Sequence, residues 1–304
     1  MTDAALESAC RALAEELGTE CREPVALSGG ITNRNYRVRA GDEDLVLRLP
    51  GRDTELLGID RDAEREANAA AAAAGIAPEV VAFLEPGSCL VTRFVAGTAP
   101  DEGDLREPAL LDEVVRALRA FHGGSPLRAR FSPFALGPVY RAVALERGPA
   151  LPAGVDAAAA IAAEVEPLLT GPEHEAVPCH NDLLPSNLLF DGDRVRIIDW
   201  EYAGMGDRYF DLACPVNNGF GPDDDARVLE AYFGEGGATP RRRARLALMR
   251  LMSDYREAMW GVVQAAMSDL DFDFLAYADR HFTRLRAAAD GPEYAAWLRD
   301  AATP

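Results

Sequence analysis

The spacing of apolar positions changes period several times along the chain. Leu6, Leu13 and Leu17 recur among alanines and glutamates, which predicts a short amphipathic helix over 6–17. Short β-type runs follow at 25–27, 36–38 and 45–49, separated by the turn-forming segments Ser28-Gly29-Gly30 and Gly41-Asp42. Residues 60–74 are alanine-rich and helical, and Gly75-Ile76-Ala77-Pro78 ends them as a Gly then Pro pair should. Two further strands, 80–83 and 89–95, flank the turn Glu85-Pro86-Gly87-Ser88, and 96–100 reads as a crossing into a second part. Beyond it the pattern predicts helices over 108–122 and 155–169, with a Pro/Gly-punctuated stretch between them, then over 223–234, 240–267 and 271–288. No internal repeat is present. The class is α+β in two lobes: a small N-terminal antiparallel sheet plus helix over 1–96, and a larger, mainly α C-terminal lobe over 97–304.

Composition narrows this picture. A chain of 304 residues can bury a substantial core. No apolar run approaches the ~20 residues a spanning helix requires, and the start, Met1 to Glu7, lacks a signal-peptide pattern, so a cytoplasmic protein without membrane partners is expected. Cys10, Cys21, Cys89, Cys179 and Cys214 are scattered and never spaced as C-x-x-C, which reads as small buried fillers rather than a disulfide framework or zinc site. Net charge is −19, which opposes nucleic-acid binding and favours approach of a cation. All 31 basic residues are arginine, so lysine nucleophiles, Schiff bases and phosphate-clamping lysines are excluded.

The chemistry concentrates between His180 and Asp199. Here His-x-Asp ends on Asp182, Asn187 follows five residues later, and a second apolar run, 195–198, delivers Asp199. Phosphoryl transfer needs such a set: one carboxylate to orient the attacking hydroxyl, and an amide oxygen with a second carboxylate to hold Mg²⁺ against phosphate. A turn at Asp191-Gly192-Asp193 between two β-type runs brings Asn187 and Asp199 side by side. His180 is expected to bond backbone and fix the loop; His122, His174 and His281 share no metal spacing.

These features resemble the choline/ethanolamine kinase family, relatives of the aminoglycoside phosphotransferases with a protein-kinase-like fold. The resemblance spans most of the chain and rests on residues 28–36, 46–51, 75–78, 180–182, 198–202, 209–212 and 260–265. It implies an ATP-dependent kinase whose nucleotide-covering loop includes Ser28, Gly29, Gly30, Thr32, Asn33 and Asn35. Arg48 takes the place of the lysine that grips phosphate in many kinases, with Glu64 as its helix partner and Glu66 as the competing candidate. Asp182 becomes the catalytic residue, Asn187 and Asp199 the Mg²⁺ ligands, and Asp211 a buried support of the catalytic loop.

The resemblance also places Tyr202, Trp260 and Tyr277 around the ammonium of a small cationic alcohol beside Asp182. The same aromatics at helical spacing would serve equally as core. Asp254 and Glu257 lie on the Trp260 helix and are candidates to line the cavity; Glu257 stands where the family often has a second tryptophan. That replacement puts a carboxylate where a π face is expected. It weakens the case for choline specifically and favours ethanolamine, a larger polyamine-like acceptor or another amino alcohol; the reading stays with choline or ethanolamine, with an aminoglycoside or other cationic-metabolite kinase as the alternative and a nucleotide-binding pseudokinase as the remote one. Arg93 falls at the strand leading into the crossing. A monomer or homodimer fits the length.

Overall fold

The computed structural model describes residues 4–27, 33–51, 53–85, 87–101, 103–148, 151–171, 174–218, 224–268 and 270–303. Helix α1 (Ala4–Leu17) precedes strands β1 (Cys21–Leu27), β2 (Arg34–Ala40) and β3 (Glu43–Leu49). Helix α2 (Arg61–Ala73) then leads to β4 (Val80–Leu84) and β5 (Cys89–Arg93). The five strands form one antiparallel sheet in the order β1-β2-β3-β5-β4. Its apolar face meets α1: Leu6, Ala9 and Leu13 are buried against Val38, Leu45, Leu47 and Val91. Residues three and four apart on a helix share a face, which is why Leu6 and Leu13 point inward together. Cys10 on α1 and Cys21 on β1, read from sequence as separate fillers, stand with their sulfurs 2.6 Å apart on the edge of this core. The thiols are free, and the α1–β1 fold-back, invisible in their spacing, is what brings them together.

Asp60 caps α2 by accepting from the backbone of Asp62 (2.9 Å) and Ala63 (3.1 Å), so the helix opens where its first turn needs an acceptor. Its Ala67 and Ala71, with Ile76 and Ala77 beyond, do not join the sheet core but pack into the larger one. The crossing after β5 is pinned to that larger body too, through Thr98 and Phe190, which exchange backbone hydrogen bonds of 3.0 and 2.9 Å.

The second part carries α3 (Pro108–His122), α4 (Pro133–Arg147) and α5 (Gly154–Leu169). Short strands β6 (Val177–Cys179), β7 (Leu188–Phe190), β8 (Val195–Ile197) and β9 (Gly204–Gly206) follow, then α6 (Arg208–Asn218), α7 (Asp225–Phe233), α8 (Pro240–Met267), α9 (Phe274–Ala289) and α10 (Tyr294–Ala302). The stretch read as Pro/Gly-punctuated connection contains α4. Ser132 caps it, accepting from the backbone of Ala135 (3.3 Å), and Pro133 sits in its first turn, where a missing N–H costs nothing. Gly137 in α4 lets the Tyr255 ring of α8 approach; a β-carbon there would lie 2.0 Å from the phenol oxygen. Helix α8 is buried along most of its length and forms the spine against which α4, α6, α9 and α10 pack.

Candidate active site

The segment from 180 to 199 is a hairpin set beside a loop. Strands β7 and β8 pair antiparallel with Leu188 opposite Ile197, and the backbone N–H of Ile198 donates to the Asn187 carbonyl at 2.9 Å. The turn between them is closed by Asp191, whose carboxylate accepts from the backbone of Asp193 (3.0 Å) and Arg194 (2.8 Å). This register places Asn187 and Asp199 together, as their spacing predicts. Asn181 (φ 65°) and Asp199 (φ 66°) adopt left-handed backbone, a region that Asn and Asp tolerate better than other side-chain-bearing residues.

Three buried groups hold the loop. Asp211 on α6 accepts from the backbone N–H of His180 and of Asn181, both at 2.7 Å, and contacts His122 Nε2 at 3.0 Å. His180 bonds only backbone: Nε2 meets the Ile198 carbonyl at 3.0 Å and Nδ1 accepts from the Asp182 N–H at 3.2 Å, which fixes its tautomer with the proton on Nε2. Its ring also packs edge-on against Trp200, 4.7 Å between centroids. The Asn187 amide donates to the Asp182 carbonyl at 2.8 Å, which commits its nitrogen to the loop backbone.

A cleft of about 650 Å³ lies between the sheet and α8. Apolar residues of the sheet and crossing, Leu27, Val46, Leu90, Phe94 and Val95, wall one end, beside Asn35 and Arg48. Asp182, Asn187 and Asp199 occupy the middle. Tyr202, Glu257, Trp260 and Tyr277 line the opposite end, so the residues expected around an acceptor do meet near Asp182. Ser28, Gly29, Gly30 and Thr32 lie outside the described residues.

Arg48 is 9% exposed and stands among three carboxylates. It pairs with Glu64 at 2.8 Å, with Glu201 at 3.1 Å and with Asp199. Glu64 rather than Glu66 is thus its helix partner; Glu66 accepts from the backbone N–H of Arg128 at 3.1 Å. Arg61 adds a second guanidinium, 2.7 Å from Glu64 and 3.2 Å from Glu201. Asn33, expected to face phosphate, instead donates to Glu201 at 2.8 Å. Burial, then the nearby Asp199 charge, push the Glu201 carboxyl up to about 7 against the pull of Arg48, Asn33 and Arg61.

At the acceptor end Arg256 reaches Asp182 at 2.8 Å and also pairs with Glu257. The Tyr277 hydroxyl donates to the other Glu257 oxygen at 2.5 Å. Burial raises the Asp182 carboxyl above its ordinary range, and Arg256 opposes that. For Glu257, burial also pushes upward, but Arg256 and further favourable contacts outweigh it and the net shift is downward. Trp260 and Tyr277 meet edge-on at 5.8 Å. Gly261 permits that approach between α8 and α9: a β-carbon there would stand 2.9 Å from the Phe274 carbonyl and 3.1 Å from the Tyr277 ring. Asp254 does not belong to this end; it bonds His281 at 2.8 Å and pairs with Arg284. Arg93 is exposed and bound to Glu43 (2.8 Å) and Glu79 (2.6 Å), away from the cleft. Arg61 and Arg256 stood in no motif that marked them, and Glu201 lay in the 198–202 run with no role given to it; the contacts Arg61–Glu201 and Arg256–Asp182 join positions far apart along the chain.

Both groups a kinase requires fit these donors. Asn187 and Asp199 offer hard oxygen ligands on adjoining positions, the type Mg²⁺ takes. The sheet end offers apolar walls for a base and a guanidinium for phosphate, within a volume typical of small-molecule sites.

Residues 24–247 match the phosphotransferase enzyme family. Ethanolamine kinase 2 of Mus musculus is 30% identical over 285 residues, which cover 84% of this chain and 73% of that protein. A choline/ethanolamine kinase family protein from Mesorhizobium loti superposes with a TM-score of 0.82 at 33% identity, over 98% of this chain and 99% of that one. The choline kinase LicA from Streptococcus pneumoniae shares the fold, with a TM-score of 0.79 at 20% identity over 93% of this chain and 98% of that one.

Proposed function

The chain belongs to the phosphotransferase enzyme family, and from that premise we propose that it transfers a phosphoryl group from ATP to the hydroxyl of a small cationic amino alcohol, choline or ethanolamine. The observation that carries this reading is the meeting, in one cleft, of Asp182, Asn187 and Asp199 with Arg48 on one side and Tyr202, Trp260 and Tyr277 on the other. Similarity to ethanolamine kinase 2 and to the Mesorhizobium loti protein supports the acceptor class.

In this reading residues 1–96 supply the nucleotide lobe and 97–304 the catalytic and acceptor lobe. Asp182 orients the alcohol and accepts its proton, held in place by Arg256 and the Asn187 amide. Asn187 and Asp199 would hold Mg²⁺, which neutralises phosphate charge. Arg48, set on β3 and steadied by Glu64, grips phosphate oxygens with a fixed guanidinium in a chain without lysine. His180 and Asp211 keep the loop in shape.

Charge at the acceptor end favours a monocation. Asp182 and Glu257 carry two negative charges against one positive charge on Arg256, leaving one to be balanced by the ligand. A polycationic aminoglycoside would need more. The test is ADP release with Mg-ATP against choline, ethanolamine, thiamine and an aminoglycoside. Turnover confined to the small amino alcohols is expected. Turnover of the aminoglycoside alone would replace this reading, and nucleotide binding without product from any alcohol would leave a pseudokinase.

A further inference from the structure

Arg256 is 3% exposed, yet it borders the cleft and sits at the end that receives a cation. Its Nη1 bonds Asp182 Oδ1 at 2.8 Å and pairs with Glu257 Oε1. Its Cζ stands 4.4 Å from the centre of the Tyr202 ring, so the guanidinium lies over that ring. Nε and Nη2 are buried and have no hydrogen-bond partner among the described residues. The side chain is therefore held by charge and by its face rather than by a full set of hydrogen bonds.

Two groups that could receive an acceptor's ammonium are already engaged. One face of Tyr202 carries Arg256. Glu257 is bound by Arg256 on one oxygen and by the Tyr277 hydroxyl on the other. Trp260 is turned edge-on to both Tyr277 and Phe274, at 5.8 Å each. What remains is a net negative charge with carboxylate and phenol lone pairs, beside a Tyr202 ring with one face already covered.

We propose that Arg256 is a positioning and specificity-determining residue: an internal cation that fixes Asp182 and covers Tyr202, so that the cleft takes a primary ammonium alcohol in preference to a quaternary one. This rests on the reading that the acceptor is a small amino alcohol. A quaternary ammonium has no N–H and depends on ring faces. A primary ammonium has three donors and is satisfied by oxygen lone pairs, which Glu257 and Tyr277 retain beyond their present bonds. Arg256 also settles which Asp182 oxygen works. Oδ1 is committed to the guanidinium, whereas Oδ2 has only a long contact of 3.5 Å to the Asn187 amide and is the oxygen left for the alcohol.

The experiment is steady-state kinetics with ethanolamine and with choline at saturating Mg-ATP. It compares the parent protein with Arg256→Lys, Arg256→Met and the double variant Arg256→Met/Glu257→Gln, which removes both charges of the pair together. The parent is expected to favour ethanolamine in kcat/KM by at least about tenfold. Arg256→Met should lose about 100-fold or more in kcat while the KM for ATP stays within about threefold, a split that general loss of structure does not produce. In the double variant and in Arg256→Lys the preference should move towards choline by about tenfold, because the Tyr202 face is freed. An unchanged preference in both, or an Arg256→Met variant with kcat within threefold of the parent, overturns the assignment. If Arg256→Met fails to fold, the other two variants decide it on the preference alone. Absence of turnover of both alcohols by the parent sinks the amino-alcohol reading together with this one, whereas parental turnover with unmoved preference sinks only Arg256.

Discussion

Asp182 works against its surroundings: burial pushes its carboxyl upward, and the Arg256 contact at 2.8 Å opposes that. Such a carboxylate orients an alcohol well but cannot be replaced by its amide. Asp182→Asn is expected to lower kcat by about 10³-fold, with Mg-ATP affinity within about threefold of the parent. Asp199→Ala should instead weaken metal-dependent nucleotide binding itself, read by titration calorimetry with and without Mg²⁺. Full turnover in either variant removes the roles given to these residues. The grouping of the proposed catalytic set was legible in the sequence because it is local: Asp182, Asn187 and Asp199 fall within one hairpin and its loop. The contacts of Arg61, Glu201 and Arg256 were not, Glu201 included although it lies in the 198–202 run, since an arginine or glutamate on a helix or after a strand looks the same whether it meets water or a partner 140 residues away. Asn33 shows the converse. Its motif pointed to phosphate, and the fold turned its amide onto Glu201.

Helix α8, at ~1.5 Å per residue, carries a load at each end of a long rod. Near its start Arg245 bonds the carbonyls of Leu168 (3.3 Å) and Leu169 (3.1 Å) and pairs with Asp207 at 3.0 Å. Asp207 also meets His174 at 3.3 Å and accepts from the Tyr209 N–H at 2.9 Å. Burial pushes the Asp207 carboxyl up, but His174, Arg245 and that N–H outweigh it and hold it below its ordinary range. A carboxylate with a depressed folded pKa contributes stability above its unfolded pKa of about 3.9 and loses it as pH falls through the folded value. Asp207→Asn is therefore expected to lower Tm at pH 7 by on the order of 5 °C, from about 3 kcal/mol of broken buried pairing. The gap between parent and variant should shrink below pH 4. A constant gap from pH 7 to pH 3 would show that the charge of Asp207 does not matter. Helices α8 and α9 were legible because their periodicity is long and strong, whereas α4 and α10 were hidden by proline, glycine and shortness. In α4 Pro133 sits in the first turn, where its missing N–H costs nothing, a fact of capping that the hydrophobic pattern does not record.

At the scale of the molecule two cores stand side by side, one under the sheet and one around α8. The two-lobed class was readable from the change of period along the chain, but the share taken by α2 was not: its alanines pack into the larger core. The bond between the parts is the Arg48 cluster, in which β3 and α2 supply Arg48, Arg61 and Glu64, and the segment after β8 supplies Asp199 and Glu201. With Asp199 occupied by Arg48, the protein is its own rival for both halves of the nucleotide complex. Phosphate arriving alone draws Arg48 from Asp199 and leaves that carboxylate uncompensated; a divalent ion arriving alone competes with the guanidinium for Asp199 while Arg48 stays bound to Glu64 and Glu201. Only a ligand that brings both charges at once exchanges one internal pair for two external ones. ATP without Mg²⁺ and Mg²⁺ without ATP should each bind at least about tenfold more weakly than together, a coupling readable by calorimetry without any turnover. Equal affinities would show that the pairing is no obstacle. On the proposed site the cluster would make the cleft a coincidence gate, one that answers to the complex of ion and nucleotide far better than to either alone.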